Sequence, residues 1–100
     1  MEIKKEQNGN VLTIHLAGRL AAKEAKTLEQ EVQSSLKGIT DLTFDMAAVT
    51  YVASAGLRVI LLAQDMMDEA GGDMRLVHVG PVVMDVLNLT GFSDFMKIED

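Results

Sequence analysis

Few residues in this chain stand in a pattern that could do chemistry, and a single serine leads them. In "VTYVASAGLRVILLAQ", residues 49–64, Ser54 lies between Ala53 and Ala55, with Gly56 next, and an apolar run at helical spacing begins at once. A serine there can cap a helix, its hydroxyl accepting a bond from a first-turn backbone N–H that has no partner inside the helix. With nothing bulky at 55 or 56 to shield it, and the partial positive charge of a helix N-terminus beside it, it also has the form of an accessible phosphoacceptor. On the residues alone both readings stand.

Other chemistry finds little support. His15 and His78 fall in strand-like runs far apart in sequence and belong to no spaced ligand set such as HExxH, so they read as ordinary strand residues. A Ser-His-Asp hydrolase built on Ser54 would need a base that the sequence does not place, and the serine sits in SxG without the first glycine of a GxSxG elbow. GxxxxGK[ST] and GxGxxG are absent, and Gly71-Gly72 before a strand reads as a helix-ending turn. There are no cysteines, which removes disulfides, thiolate zinc sites and cysteine nucleophiles and suits a reducing, cytoplasmic location. The reading is therefore non-enzymatic, with no metal and no cofactor.

The elements that must position Ser54 come from a chain of 100 residues, 48% hydrophobic and 24% charged, which is the size and composition of one domain (1–100) around one core. A net charge of −6 repels nucleic acid and anionic membranes and favours basic or mixed-charge protein partners. The one tyrosine and three phenylalanines are not interleaved with basic residues as a nucleic-acid platform requires. "VILLA" is far too short for membrane insertion, and "MEIKKEQNGN" lacks the apolar centre of a signal peptide.

"EIKKEQ" and "NVLTIHLAG" flank Asn8-Gly9, which predicts an opening hairpin. From Ala21 to Leu36 the period becomes helical, with Ala21, Ala25, Leu28, Val32 and Leu36 on one face. "DLTFDM" returns to period two, and a second helix is expected from Ser54 to Ala70. Strand "DMRLVHV", helix "PVVMDVLNLT" and strand "FMKIE" follow. The order ββαβαβαβ makes an α/β fold, a mixed β-sheet packed with helices.

Around the second helix, Leu57, Ile60, Ala63, Met67 and Ala70 form the expected core face, while Ser54, Arg58, Leu61, Leu62, Asp65 and Glu69 share another side. Leu61 and Leu62 thus flank the polar face. Burial of each against a partner would supply about 1.5 to 3 kcal/mol; a neighbouring helix of the same domain could cover them instead.

"DMAAVTYVASAGLRVILLA", preceded by "GRLAAKEAKTLEQEV" and followed by "GGDMRLVHVGPVVMDVLNLTGFSDFMKI", resembles the STAS domain in the form of a bacterial anti-anti-sigma factor, or anti-sigma factor antagonist. The likeness covers nearly the whole chain and carries an S-x-G-L signature after the central strand. It implies that Ser54 is the phosphoacceptor of a serine kinase of the histidine-kinase-like ATPase fold, which is itself the anti-sigma factor. The unphosphorylated form binds that kinase and frees a sigma factor, and a PP2C-type phosphatase resets the switch. It also implies a partner surface of Ala53, Ala55, Gly56, Arg58, Leu61, Leu62 and Asp65, completed by the loop residues Gly18, Arg19, Leu20 and Ala21. Well-studied members carry aspartates where this chain has Ala21 and Ala53, and often a second hydroxyl residue where it has Ala55. The alternative is a STAS subunit of a larger assembly, a lipid-transport ATPase complex or a stress-signalling scaffold, in which Ser54 is never phosphorylated.

Overall fold

The opening turn fixes the register of the first two strands. Gly9 (φ 63°) and Asn10 are its central residues, Asn8 pairing with Val11, so the turn is shifted one residue from the Asn8-Gly9 expected. Positive φ at the first central position alone is the pattern of a type II′ hairpin. The computed structural model describes residues 2–99. From that turn the chain runs β1 (Glu2–Asn8), β2 (Val11–Leu20), α1 (Ala22–Ser35), β3 (Asp41–Val52), α2 (Ser54–Glu69), β4 (Asp73–Val77), α3 (Pro81–Thr90), a 3-10 turn (Phe92–Asp94) and β5 (Lys97–Glu99). The sheet order is β1-β2-β3-β4-β5, antiparallel between β1 and β2 and parallel elsewhere, as a mixed ββαβαβαβ sheet requires.

Alternation divides the sheet into two faces. Leu12, Ile14 and Leu16 of β2, Leu42, Phe44 and Met46 of β3, and Met74 and Leu76 of β4 are buried, while Thr13, His15, Thr43, Asp45 and Arg75 between them stay partly exposed. The apolar faces of α1 (Ala25, Leu28, Val32) and α2 (Leu57, Ile60, Ala63, Met67) join the buried set, and the two helices pack on each other. Val59 is buried too, whereas Ala70 is the exposed C-cap of α2 and leaves the core face assigned to it.

Four strands end elsewhere than their residues suggest, each for a local reason. β2 runs past Gly18 to Leu20 because Arg19 and Leu20 still pair with Tyr51 and Val52 of β3. β3 continues to Val52 because two β-bulges interrupt its alternation without ending its pairing to β2. The partners step from His15–Asp45 to Ala17–Ala48, and from Gly18–Val49 to Arg19–Tyr51, adding one residue to β3 each time. β4 stops at Val77 because His78 turns into the left-handed region (φ 57°). β5 starts only at Lys97, since Met96 gives its N–H to Phe92 O (3.0 Å) in the preceding turn.

Candidate functional site

The bulged second half of β3 delivers the chain to the start of α2 beside the end of β2. Ala53 donates its N–H to Leu20 O (2.9 Å), and its own carbonyl accepts the first helical bond, from Leu57 N–H (3.0 Å). Ala53, with extended backbone (φ −87°, ψ 172°), is therefore the N-cap, and an alanine has no side-chain acceptor to offer. Ser54 is the first helical residue. Its side chain is exposed and bonds to no helix N–H, which corrects the capping role expected of it: the hydroxyl is free for other use. The first turn of α2 contains no acid, so the N–H groups ahead of the first helical bond face no carboxylate of their own helix.

Two of the expected surface residues are internal. Leu20 is 0% exposed, and Gly56 is buried against it. A Cβ on Gly56 would lie 2.6 Å from Leu20 Cγ and 2.8 Å from Leu20 O, so the glycine is the clearance that lets α2 start on top of β2. Both belong to the packed junction that positions Ser54, which corrects their expected place on the surface. Arg58 and Asp65 are exposed on the Ser54 side of α2; Leu61 packs partly against the core and Leu62 is half-buried. The core itself thus takes part of Leu61. The loop expected at Gly18–Ala21 is instead the end of β2: Gly18, Arg19 and Leu20 pair with Val49, Tyr51 and Val52 of β3. Arg19 is exposed there, its guanidinium 4.9 Å from the Tyr51 ring centroid; Gly18 (φ 101°) and Ala21 are half-buried, and Ala21 is the N-cap of α1. Glu24 Oε1 accepts the Ala21 N–H (3.3 Å), half of a capping box.

Beyond Ser54 a groove of about 180 Å³ opens between the helices. Ala22, Ala25, Ala55 and Val59 give it small apolar lining, and Lys26, Glu29 and Arg58 line it with charge. The α1 side of this groove was not foreseen, because it depends on how two helices distant in sequence meet.

Away from Ser54, the two histidines converge on one carboxylate. His15 Nδ1 lies 2.9 Å from Asp45 Oδ2, and His78 Nδ1 lies 3.0 Å from Asp45 Oδ1, which also accepts the Ala47 N–H (3.1 Å). An ionised carboxylate only accepts, so each Nδ1 carries the proton. Among the described residues there is no cluster of three or more side chains that could hold a metal ion. The bond from His78 holds Asp45 below its ordinary value of 3.8, with Ala47 N–H and His15 adding to it and partial burial opposing. A depressed carboxylate stabilises the fold above its unfolded value, and that contribution disappears as pH falls through the lower folded value. Asp45→Asn should therefore flatten the acid limb of stability. In urea titrations from about pH 6 down to about pH 2.5, wild type should lose more stability than the variant below the ordinary value of 3.8; parallel curves would remove Asp45 from the acid limb.

Residues 2–100 match the STAS domain. The chain belongs to the STAS domain family. Among its relatives is BtrV of Bordetella bronchiseptica, whose name carries a provisional assignment as an anti-sigma factor antagonist. It is 29% identical over 99 residues, 98% of this chain and 85% of the relative. The anti-sigma F factor antagonist of Paenibacillus polymyxa is 24% identical over 102 residues, covering 100% of this chain and 87% of the relative. In fold the STAS chain resembles the Bacillus cell fate determinant SpoIIAA in its phosphorylated form, with a TM-score of 0.78 at 15% identity over 97% of this chain and 90% of that one. No helix among the described residues of this STAS domain is long and apolar enough to cross a membrane.

Proposed function

We propose that this STAS protein is a non-enzymatic partner switch, an anti-sigma factor antagonist controlled at Ser54. Unmodified, it binds an anti-sigma factor that is also a serine kinase of the histidine-kinase-like ATPase fold, and the sigma factor is released. Phosphorylation of Ser54 ends that binding, and a PP2C-type phosphatase restores it. The observation that carries this reading is the exposed, uncapped hydroxyl of Ser54 at the first residue of α2. It is the one hydroxyl in its motif, with Ala53 and Ala55 on either side. The names of the two relatives and the phosphorylated form of the fold neighbour support it.

A phosphate there adds about −1.5 to −2 charge at a helix N-terminus, a position that tolerates an anion, so the modification acts on docking and leaves the fold intact. The test mixes the protein with a candidate anti-sigma factor kinase and ATP, followed by intact mass. Wild type should gain one phosphate and Ser54→Ala none. A chain that stays unmodified, yet forms a stable complex with a transporter ATPase, would establish the alternative assembly role.

A further inference from the structure

The charge around the Ser54 end runs opposite to that of the whole molecule. The protein carries 9 lysines and arginines against 15 aspartates and glutamates. Lys5, Arg75 and Lys97 spend their charge on carboxylates elsewhere. Among the described residues six cations enter no ion pair; Lys4 and Lys37 lie elsewhere, and the other four are Arg19, Lys23, Lys26 and Arg58. These four stand together where β2 ends and where α1 and α2 begin, and all four are exposed. The acids nearby offset them poorly. Glu24 is turned back onto the Ala21 N–H, Glu29 is the single acid on the groove, and Ala21 and Ala53 contribute no charge.

We propose that the α1–α2 groove takes an acidic segment of the anti-sigma factor, with carboxylates set against Lys26 and Arg58 and an apolar stem on its small apolar lining. This rests on the reading of Ser54 as the switch, and it narrows the basic or mixed-charge partner that the net charge suggests to one with an acidic segment at this groove. A molecule of net charge −6 repels an acidic segment at long range, so only a local surplus of unpaired cations can hold one. The same arrangement explains how one modification could control docking. Arg58 lies one helical turn after Ser54, on the same side of α2, so a phosphate of about −1.5 to −2 would set its charge against Arg58 and Lys26 together. The phosphate and the partner's carboxylates then compete for the same two cations.

The first probe is a ten-residue polyglutamate, added to the isotopically labelled full chain at low salt and followed by amide chemical shifts. Shifts are expected in residues 22–29 and 55–59, and they should vanish in Lys26→Glu/Arg58→Glu while remaining in Lys37→Glu, a control near the far end of α1. Shifts centred elsewhere, or none, overturn the proposal. The second probe is the anti-sigma factor itself. Lys26→Glu and Arg58→Glu should each weaken binding about tenfold, mainly through a slower on-rate, and Glu29→Lys should tighten it. Circular dichroism confirms that each variant is folded. If Arg58→Glu and Lys26→Glu bind the anti-sigma factor as wild type does, the groove assignment is wrong while the Ser54 switch stands. If wild type binds the peptide but no anti-sigma factor, the switch reading fails, and the occupant named here fails with it.

Discussion

Gly56→Ala is expected to lower stability by about 2 kcal/mol, through overpacking at the junction of β2 and α2. On helix propensity alone the substitution should help, since alanine is favoured over glycine by about 1 kcal/mol in a helix interior. The junction decides the sign. The new Cβ would meet Leu20 Cγ at 2.6 Å and Leu20 O at 2.8 Å, one of them backbone and the other part of a side chain with 0% exposure. Leu20 has no solvent to swing into, and its carbonyl is already tied to the Ala53 N–H. The first turn of α2 must therefore lift from the sheet. For a chain of this size 2 kcal/mol corresponds to a fall in Tm of about 10 °C. Gly80→Ala is the control: the backbone there is extended (φ −76°, ψ 168°), no atom lies within 4 Å of the added Cβ, and the change should stay within about 0.5 kcal/mol. A Gly56→Ala protein as stable as wild type would mean that β2 and α2 do not meet this closely.

Where the sequence anticipated the fold, the signal was local. The stripe Ala25, Leu28, Val32 of α1, and the Pro81 and Gly91 that bracket α3, need only neighbours a few residues away to be read, and both helices lie where their residues place them. β3 was legible only as far as Met46. Beyond it the two bulges shift the side-chain alternation by a residue each, and a strand whose period breaks looks like a loop until its partner β2 is known. The site divides in the same way. Ser54, Arg58 and Asp65 are exposed on one side of a helix whose period is visible in the sequence. Leu20 and Gly56 were misassigned to the surface because their burial comes from contact with each other, across 36 residues of chain. The convergence of His15 and His78 on Asp45 is equally long-range: three strands must stack in register before the rings can share a carboxylate.

The sharpest expected result concerns the pair Ser54→Ala and Ser54→Asp. Because the Ser54 hydroxyl caps nothing, its removal should change stability by no more than about 0.5 kcal/mol, where loss of a true serine cap costs about 1 kcal/mol. Ser54→Asp places a carboxylate in an acid-free first turn, so the fold should hold or gain about 0.3 to 1 kcal/mol from the helix dipole. Both variants are then well-folded reagents, and any difference in binding belongs to charge at the surface. Ser54→Ala should bind the anti-sigma factor as the unmodified protein does. Ser54→Asp should bind about tenfold more weakly, since it brings one negative charge to a face whose cations are unpaired, and less weakly than the phosphoprotein, which brings nearly two. The ordering of the three affinities is the measurement, taken by calorimetry or surface resonance at two salt concentrations. The gap between Ala and Asp should narrow as salt rises, because the added charge is exposed and screened. If Ser54→Asp matches Ser54→Ala at low salt, charge at residue 54 does not control docking, and the switch must lie elsewhere on the domain.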